Sequence, residues 1–180
     1  MPDPLHLEYN LIAEAQLGMR DRRFVAEHRG GPLTRDRHYQ LMQWACDCAE
    51  HVLPLIGKRI DPRLTRALEI AHSWTLGIAS VGDTRKASVE AIAVARESSD
   101  KTTVAVARAV GHAVATAHMA DHSVGPAWYA LKAVQSSGGS VGKERKWQDS
   151  KLPPEIEELV LSARRKRKVS RTVNRFRRTS

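Results

Sequence analysis

The chain has 180 residues and a mass of 20.0 kDa, which is about the size of one ordinary domain. Its hydrophobic fraction of 42%, charged fraction of 27% and mean hydropathy of −0.42 are typical of a globular protein and exclude an integral membrane protein. The net charge is +9, and nine basic residues lie between Arg164 and Arg178, whereas no Asp or Glu follows Glu158. Residues 1–163 are therefore electrically neutral, which excludes a basic globular body.

The cysteines and the amino terminus predict a cytoplasmic protein. Cys46 and Cys48 are two residues apart, so on a helix their thiols point about 200° away from each other and cannot share a metal ion or a local disulfide. We expect ordinary reduced thiols, one of them facing the core. The residues after Met1 carry charges where a signal peptide has an apolar run.

Apolar residues recur about every 3.6 residues and almost never alternate, which predicts an all-α fold. Residues 1–33 are expected to form a weakly structured arm, with one possible helical segment at residues 11–19 and a loop at residues 30–32. The first strong helix is predicted to begin at Thr34 or Asp36 and to run to Gly57, with a kink at Pro54. Asp61 is expected to cap the second helix, which ends near Gly82.

Asp83 and Asp100 are predicted to cap a third and a fourth helix, which end near Ser98 and His122. The two-residue connection implies an antiparallel hairpin. Its two helices carry alanines at every fourth position, which allow a close approach of the backbones: Ala87, Ala91 and Ala95 on one helix, and Ala105, Ala109, Ala113 and Ala117 on the other.

A fifth helix is predicted from Ser123 to Val134, and the Ser/Gly run at residues 136–140 predicts a flexible break at which the compact bundle ends. Pro153 and Pro154 precede a last helix. We therefore expect a single-domain bundle of about five main helices within residues 34–152. A basic extension, helical or disordered, follows at residues 153–180.

Three histidines lie on the predicted fourth helix: His112, His118 and His122. His118 and His122 share a face and can hold a metal ion, but Met119 follows His118 where a zinc metalloprotease motif has Glu. His112 lies about 120° around the helix from His118. We therefore expect no metal site. The histidines are interpreted as hydrogen-bonded structural residues, or alternatively as pH-sensitive or partner-contacting ones.

The first strong helix carries a polar stripe of Trp44, Asp47 and His51, with Glu50 beside it. Such a stripe can line a polar pocket, to which Arg96, Arg108 and Thr116 of the next helices are candidate partners. Glu50 and His51 can form a general acid or base. Because no nucleophile motif and no phosphate loop accompany them, a salt-bridge network is favoured, with neither catalysis nor a cofactor.

The carboxy-terminal tail is a candidate nucleic-acid-binding element, because unneutralised cations bind phosphates without reading the base sequence. The alternatives are a disordered solubilising extension, or contact with an anionic membrane surface or a protein partner. The candidate residues are Arg164, Arg165, Lys166, Arg167, Lys168, Arg171, Arg175, Arg177 and Arg178.

Several sequence strings together resemble one bacterial protein family. They are Cys-Ala-Glu-His-Val-Leu-Pro at residues 48–54, Gly-His-Ala-Val-Ala-Thr-Ala-His at residues 111–118, and Tyr-Ala-Leu-Lys-Ala-Val at residues 129–134. Over residues 38–151 the chain resembles the small helical immunity proteins of polymorphic toxin systems. The resemblance implies an all-helical cytoplasmic protein that neutralises a cognate toxin by binding it. The arm and the basic tail lie outside the family pattern.

Overall fold

A computed structural model describes residues 21–177, with side chains up to Lys166. Over these residues the fold is all-α, as predicted. Seven α-helices follow one another in the described chain: α1 (Arg35–Val52), α2 (Pro62–Thr75), α3 (Val81–Glu97), α4 (Lys101–Ala115), α5 (Val124–Ser136), α6 (Val141–Ser150) and α7 (Pro154–Arg177).

The helix starts follow local capping chemistry. Asp61 and Asp100 each accept a hydrogen bond from a backbone amide of the first turn, as predicted, and of the two candidates for α1 the cap is Thr34 and not Asp36. The third helix is different, because its cap is Ser80 and not Asp83. Asp83 is instead the third helical residue of a capping box, in which its carboxylate accepts bonds from the amide and the hydroxyl of Ser80.

Helix α2 ends at Thr75, well before the predicted end at Gly82. Gly77 has a φ of 74°, a conformation that favours glycine. Its amide donates to the carbonyl of Trp74, and the amide of Ile78 donates to the carbonyl of Ser73. These two bonds are the pattern of a Schellman motif, which stops the helix and fixes the direction of the chain that follows.

Helix α4 is the centre of the bundle and contacts α1, α2, α3 and α5. The predicted alanine contact with α3 is present, because Ala109 and Ala113 are fully buried in one cluster with Ala87 and Ala91. The approach is close enough that a Cβ built on Gly111 would lie 2.6 Å from Cδ1 of Ile92 of α3. Small side chains on both helices therefore set the spacing between α3 and α4.

The opposite side of α4 approaches α5 at a second glycine. A Cβ built on Gly125 would lie 2.9 Å from Cγ and 3.0 Å from Cβ of His112. These are the inner atoms of the His112 side chain, so α4 itself holds them in place. Gly125 therefore lets the ring of His112 fit between the two helices.

The predicted end of this helix at His122 is wrong, because α4 ends at Ala115. The carbonyl of Thr116 accepts a bond from Nε2 of His38 at 2.6 Å, so a distant side chain bonds the first carbonyl beyond the helix. The chain then turns and forms a short 3₁₀ segment at Ala120–Ser123 before α5 begins.

The helical body continues beyond the predicted break. Gly138 has a φ of 81°, and the hydroxyl of Ser140 then caps α6, a helix that the apolar pattern did not predict. The first half of α7 packs on the bundle, because Ile156 and Val160 are fully buried in one cluster with Trp44 of α1. The break is thus a turn inside the body and not its boundary.

Residues 21–33 also differ from the predicted weakly structured arm. They form two 3₁₀ turns, and Phe24 and Leu33 join the cluster that buries α7. A guanidinium nitrogen of Arg23 donates to Oγ of Ser162 at 2.8 Å, which ties this segment to α7. The possible helical segment at residues 11–19 lies outside the described residues.

Both cysteines are fully buried, in contrast to the expectation that one faces the core. Cys46 lies in the cluster around α4, whereas Cys48 lies in the cluster beneath α7. The thiols are on different sides of α1, yet each side is covered by other helices. Burial raises the pKa of both thiols, so they stay protonated.

We predict that the chain truncated after Ser162 is destabilised by about 2–3 kcal/mol. This truncation removes the buried side chain of Ala163 and the guanidinium of Arg164, whose bonds to Gln148 and Asp149 are lost. The control is the chain truncated after Lys166, which keeps these contacts and should unfold at nearly the same denaturant concentration as the full chain. Equal stability of the two truncated chains would show that Arg164 does not hold α7 on the bundle.

A second prediction concerns the approach of α4 and α5. Gly125→Ala should lower the free energy of unfolding by about 1–3 kcal/mol, because the new methyl group overlaps the side chain of His112. Gly142→Ala is the matched control, since a Cβ there meets no atom within 4 Å, and in helix α6 it should raise stability by up to about 1 kcal/mol. The free energies of unfolding of both variants are measured in urea. An unchanged free energy for Gly125→Ala would contradict the close approach of α4 and α5.

Candidate functional site

Helix α4 reaches the surface along one narrow edge. Between Ala105 and Ala115 every residue is buried except Arg108 and His112, which are one helical turn apart. Val104, one turn before Arg108, is partly buried on the same edge. Between Ala105 and Ala115 the polar side chains of α4 are thus confined to a single line beside α5, and we take this line as the starting point of the candidate site.

Aromatic rings extend this line onto α5 and beyond the end of α4. The ring of Tyr129 lies against that of His112, with 5.2 Å between centroids, and the ring of His122 follows at 5.3 Å from His112. His118 lies next to His122 at 5.4 Å. We call His118, His122, His112 and Tyr129 the ring row. The structure thus brings together His112, His118 and His122, which the predicted helix had kept apart. They meet because the chain leaves α4 after Ala115 and folds back.

The contact between His112 and His122 constrains their protons. The two Nδ1 atoms are 3.2 Å apart, and a hydrogen bond at this distance needs one donor and one acceptor. One ring therefore carries a proton at Nδ1 and the other does not. A second proton between these atoms would set two N–H groups against each other.

Burial lowers the pKa of two further histidines near one end of the ring row, His38 and His118. Nε2 of His38 donates to the carbonyl of Thr116, and burial lowers the pKa of His38. The pKa of His118 is also lowered, first by burial and then by the charge of His122. Both side chains line a cavity of about 220 Å³, which Phe24, Arg29 and Asp121 also border.

At its other end the ring row meets two cations. The guanidinium carbon of Arg108 lies 5.9 Å from the centroid of the Tyr129 ring, and Nζ of Lys132 lies 5.8 Å from the same point. Lys132 also lies 5.5 Å from the ring of Trp128. These distances are typical of cation–π contacts, which attract the basic side chains to the ring faces.

The polar pocket predicted on α1 does not form, because its residues bind separate partners. Glu50 accepts a bond from Nε2 of His72 at 2.6 Å, while Oδ1 of Asp47 accepts one from Gln43 at 3.2 Å. Among the described residues, no hydrogen bond or ion pair joins Asp47 or Glu50 to Arg96 or Arg108, and both arginines are exposed. Thr116 is buried and donates its hydroxyl proton to the carbonyl of His112.

His51 joins a polar network that the sequence did not predict. Its Nδ1 donates to Glu144 of α6 at 2.7 Å, and its ring stacks on Trp147 with 3.6 Å between centroids. Glu144 in turn accepts a bond from Nε2 of Gln148, and the backbone carbonyl of Gln148 accepts a bond from Nε1 of Trp44. The network joins α1 and α6, and it supports the interpretation of these polar residues as packing contacts.

The tail residues fall into three groups. The prediction that Arg164 binds nucleic acid is wrong. Its side chain is only 8% exposed, covers the ring of Trp44 and bonds to Gln148 and Asp149. Arg165 pairs with Glu158 and Lys166 with Asp21 on the surface. The side chains of the other candidates lie outside the described residues: Arg167, Lys168, Arg171, Arg175, Arg177 and Arg178.

The described part of the chain meets the requirements of neither a metal site nor a membrane-spanning helix. Residues 21–166 contain no group of three or more histidine, cysteine or acidic side chains arranged to hold a metal ion. None of the described helices combines the length and the apolarity that crossing a membrane requires.

Sequence reasoning missed Tyr129, Lys132, Glu144 and Gln148. Tyr129 and Lys132 are three residues apart on one helix, so the adjacency of α4 and α5 could have placed them beside Arg108. Glu144 and Gln148 gave no signal, because the buried face of α6 is polar and has no apolar periodicity.

Comparison with known proteins supplies a family. A model of the Imm-5 like putative immunity protein family matches residues 31–155, which is more than half of the chain and includes α1–α6. No curated protein and no solved structure shows a significant match. The matched range contains the ring row with Arg108 and Lys132, as well as the α2–α3 connection. The chain therefore belongs to the Imm-5 like putative immunity protein family.

Proposed function

We propose that this protein neutralises a cognate bacterial toxin by binding it directly, without catalysis, in the cytoplasm. The observation that carries the proposal is the family match over residues 31–155, because an immunity family implies a toxin partner. Among the polar groups on α1, the bonds of Glu50 to His72 and of His51 to Glu144 support binding over catalysis, since both pairs join helices of the bundle.

The connection between α2 and α3 offers the contact surface. Leu76 and Ile78 are 74% and 77% exposed, and Val81 at the start of α3 is 38% exposed. A Schellman motif usually buries its last residue against an apolar residue of the helix, but here Ser73 occupies that position and leaves Ile78 uncovered. Neighbouring exposed apolar side chains of this kind are typical of protein interaction sites.

This apolar corner is rigid and is bordered by charges of both signs. The hydrogen bonds of Gly77 and Ile78 to α2 and the capping box of Ser80 fix the backbone, so little conformational entropy is lost on binding. Arg85 lies one turn after Val81 and is exposed, and the carboxylate of Asp83, which accepts bonds from Ser80, is exposed as well. We therefore expect the toxin to present an apolar pocket with a polar border.

The test co-expresses the chain with the toxin domain encoded by the neighbouring gene and measures both cell survival and the affinity of the purified pair. The full chain should protect cells and bind the toxin. The double variant Leu76→Glu with Ile78→Glu should lose at least about tenfold in affinity, or about 1.4 kcal/mol, and protect less. Val141→Glu, at a 36% exposed apolar residue of α6, is the matched control and should bind as the full chain does.

The outcomes separate the two parts of the proposal. A full chain that neither binds nor protects would overturn direct neutralisation. A double variant that binds as tightly as the full chain would leave neutralisation intact and show that the toxin contacts another surface.

A second candidate function rests on the tail. The backbone of α7 continues as a helix to Arg177, and no acidic residue follows Glu158. With Arg164 buried and two more cations paired, six basic residues are left to bind phosphates of a nucleic acid. The chain truncated after Lys166 separates the functions, because it should lose salt-dependent duplex binding and still neutralise the toxin.

A further inference from the structure

A groove of about 370 Å³ lies between the first half of α4 and the second half of α5. Its polar lining is cationic, with Lys101 and Arg108 from α4 and Lys132 from α5. Val104 of α4 and the ring of Tyr129 form its apolar part. The volume falls within the range of small-molecule sites, which is roughly 300–1,000 Å³.

The three cations have no acidic counterpart among the described residues that line the groove. The acids at this end of the bundle are bound elsewhere. Asp100 caps α4 and accepts two bonds from Thr103, which lower its pKa, and Glu97 is held by the guanidinium of Arg63. Asp100 keeps its negative charge next to Lys101, but the described lining itself carries only positive charge, which favours the binding of an anion.

Two of the three cations, Arg108 and Lys132, already contact an aromatic ring before any ligand arrives. Arg108 and Lys132 both lie within 6 Å of the centroid of the Tyr129 ring, and Tyr129 is itself fixed against His112. Gly125 allows His112 to lie between the helices, so the packing of the bundle positions the ring row and, through it, the cations. Such preorganisation lowers the entropy that binding costs.

We propose that this groove binds a small organic phosphate that carries two or more phosphate groups. Three separate cations require more negative charge than one carboxylate supplies, and the planar fork of Arg108 matches phosphate oxygens in a bidentate manner. The apolar strip of Val104 and Tyr129, together with the amide of Gln135, receives the organic part of the ligand. The proposal is independent of toxin neutralisation.

The test is calorimetric titration of the full chain with inorganic pyrophosphate, with ADP and with citrate at low ionic strength. We expect one saturable site for pyrophosphate and ADP, tighter binding of ADP because of its organic part, and at least tenfold weaker binding of citrate. Arg108→Gln and Lys132→Gln should each weaken ADP binding at least tenfold. Arg96→Gln is the matched control, since it removes an exposed arginine of α3 outside the groove and should change the affinity less than twofold.

Localisation by NMR distinguishes the groove from the basic tail. Pyrophosphate should shift the backbone signals of residues 99–108 and 129–136. Shifts confined to residues 167–178, or binding that Arg108→Gln retains in full, would assign the anion to the tail and overturn the proposal. Equal affinities for citrate and pyrophosphate would overturn the choice of phosphate, and equal affinities for pyrophosphate and ADP would overturn the role of the apolar strip. Thermal unfolding of each variant confirms that the fold is intact.

Discussion

The burial of α4 on almost every side is the constraint on which the rest of the structure depends. Four helices contact α4, and its residues from Ala105 to Ala115 are alanine, valine or glycine except Arg108 and His112. Small side chains bring the neighbouring backbones close, and they leave no space for a polar group in the interior. Arg108 and His112 therefore share the one exposed edge, where Tyr129 and Lys132 of α5 meet them. The position of the candidate site follows from core packing.

A buried polar network performs a similar role for the carboxy-terminal helices. Gln148 is fully buried, and its side-chain Nε2 donates to the carbonyl of Ala127 and to Glu144, while its side-chain Oε1 accepts a bond from Arg164. Each polar atom of the side chain thus has a partner on α5, α6 or α7. Because an unpaired buried amide is costly, these bonds specify one arrangement of the three helices. The two proposed contact surfaces lie elsewhere and are left open to partners.

The sequence predicted what depends on near neighbours in the chain. The caps at Thr34, Asp61 and Asp100 bond to amides within three residues, and the alanine spacing of α3 and α4 is visible directly. The end of α4 was not predicted, and the first carbonyl beyond the helix bonds to His38, which is 78 residues away. Helix α6 was missed because it buries Glu144 and Gln148 instead of apolar residues. The sequence identified Arg108 and the histidines as candidate site residues. It did not predict that they lie together, because their proximity depends on the turn that follows Ala115.

Native-state hydrogen exchange measures most directly whether α4 is the centre of this fold. The account predicts that amides of residues 106–114 exchange only through global unfolding, with the same free energy that denaturant unfolding gives. Residues 21–33 and helix α6 pack on only one side of the bundle. Their amides should therefore exchange with lower free energies. The account would be contradicted if α4 exchanged through local opening while α1 or α7 retained the highest protection.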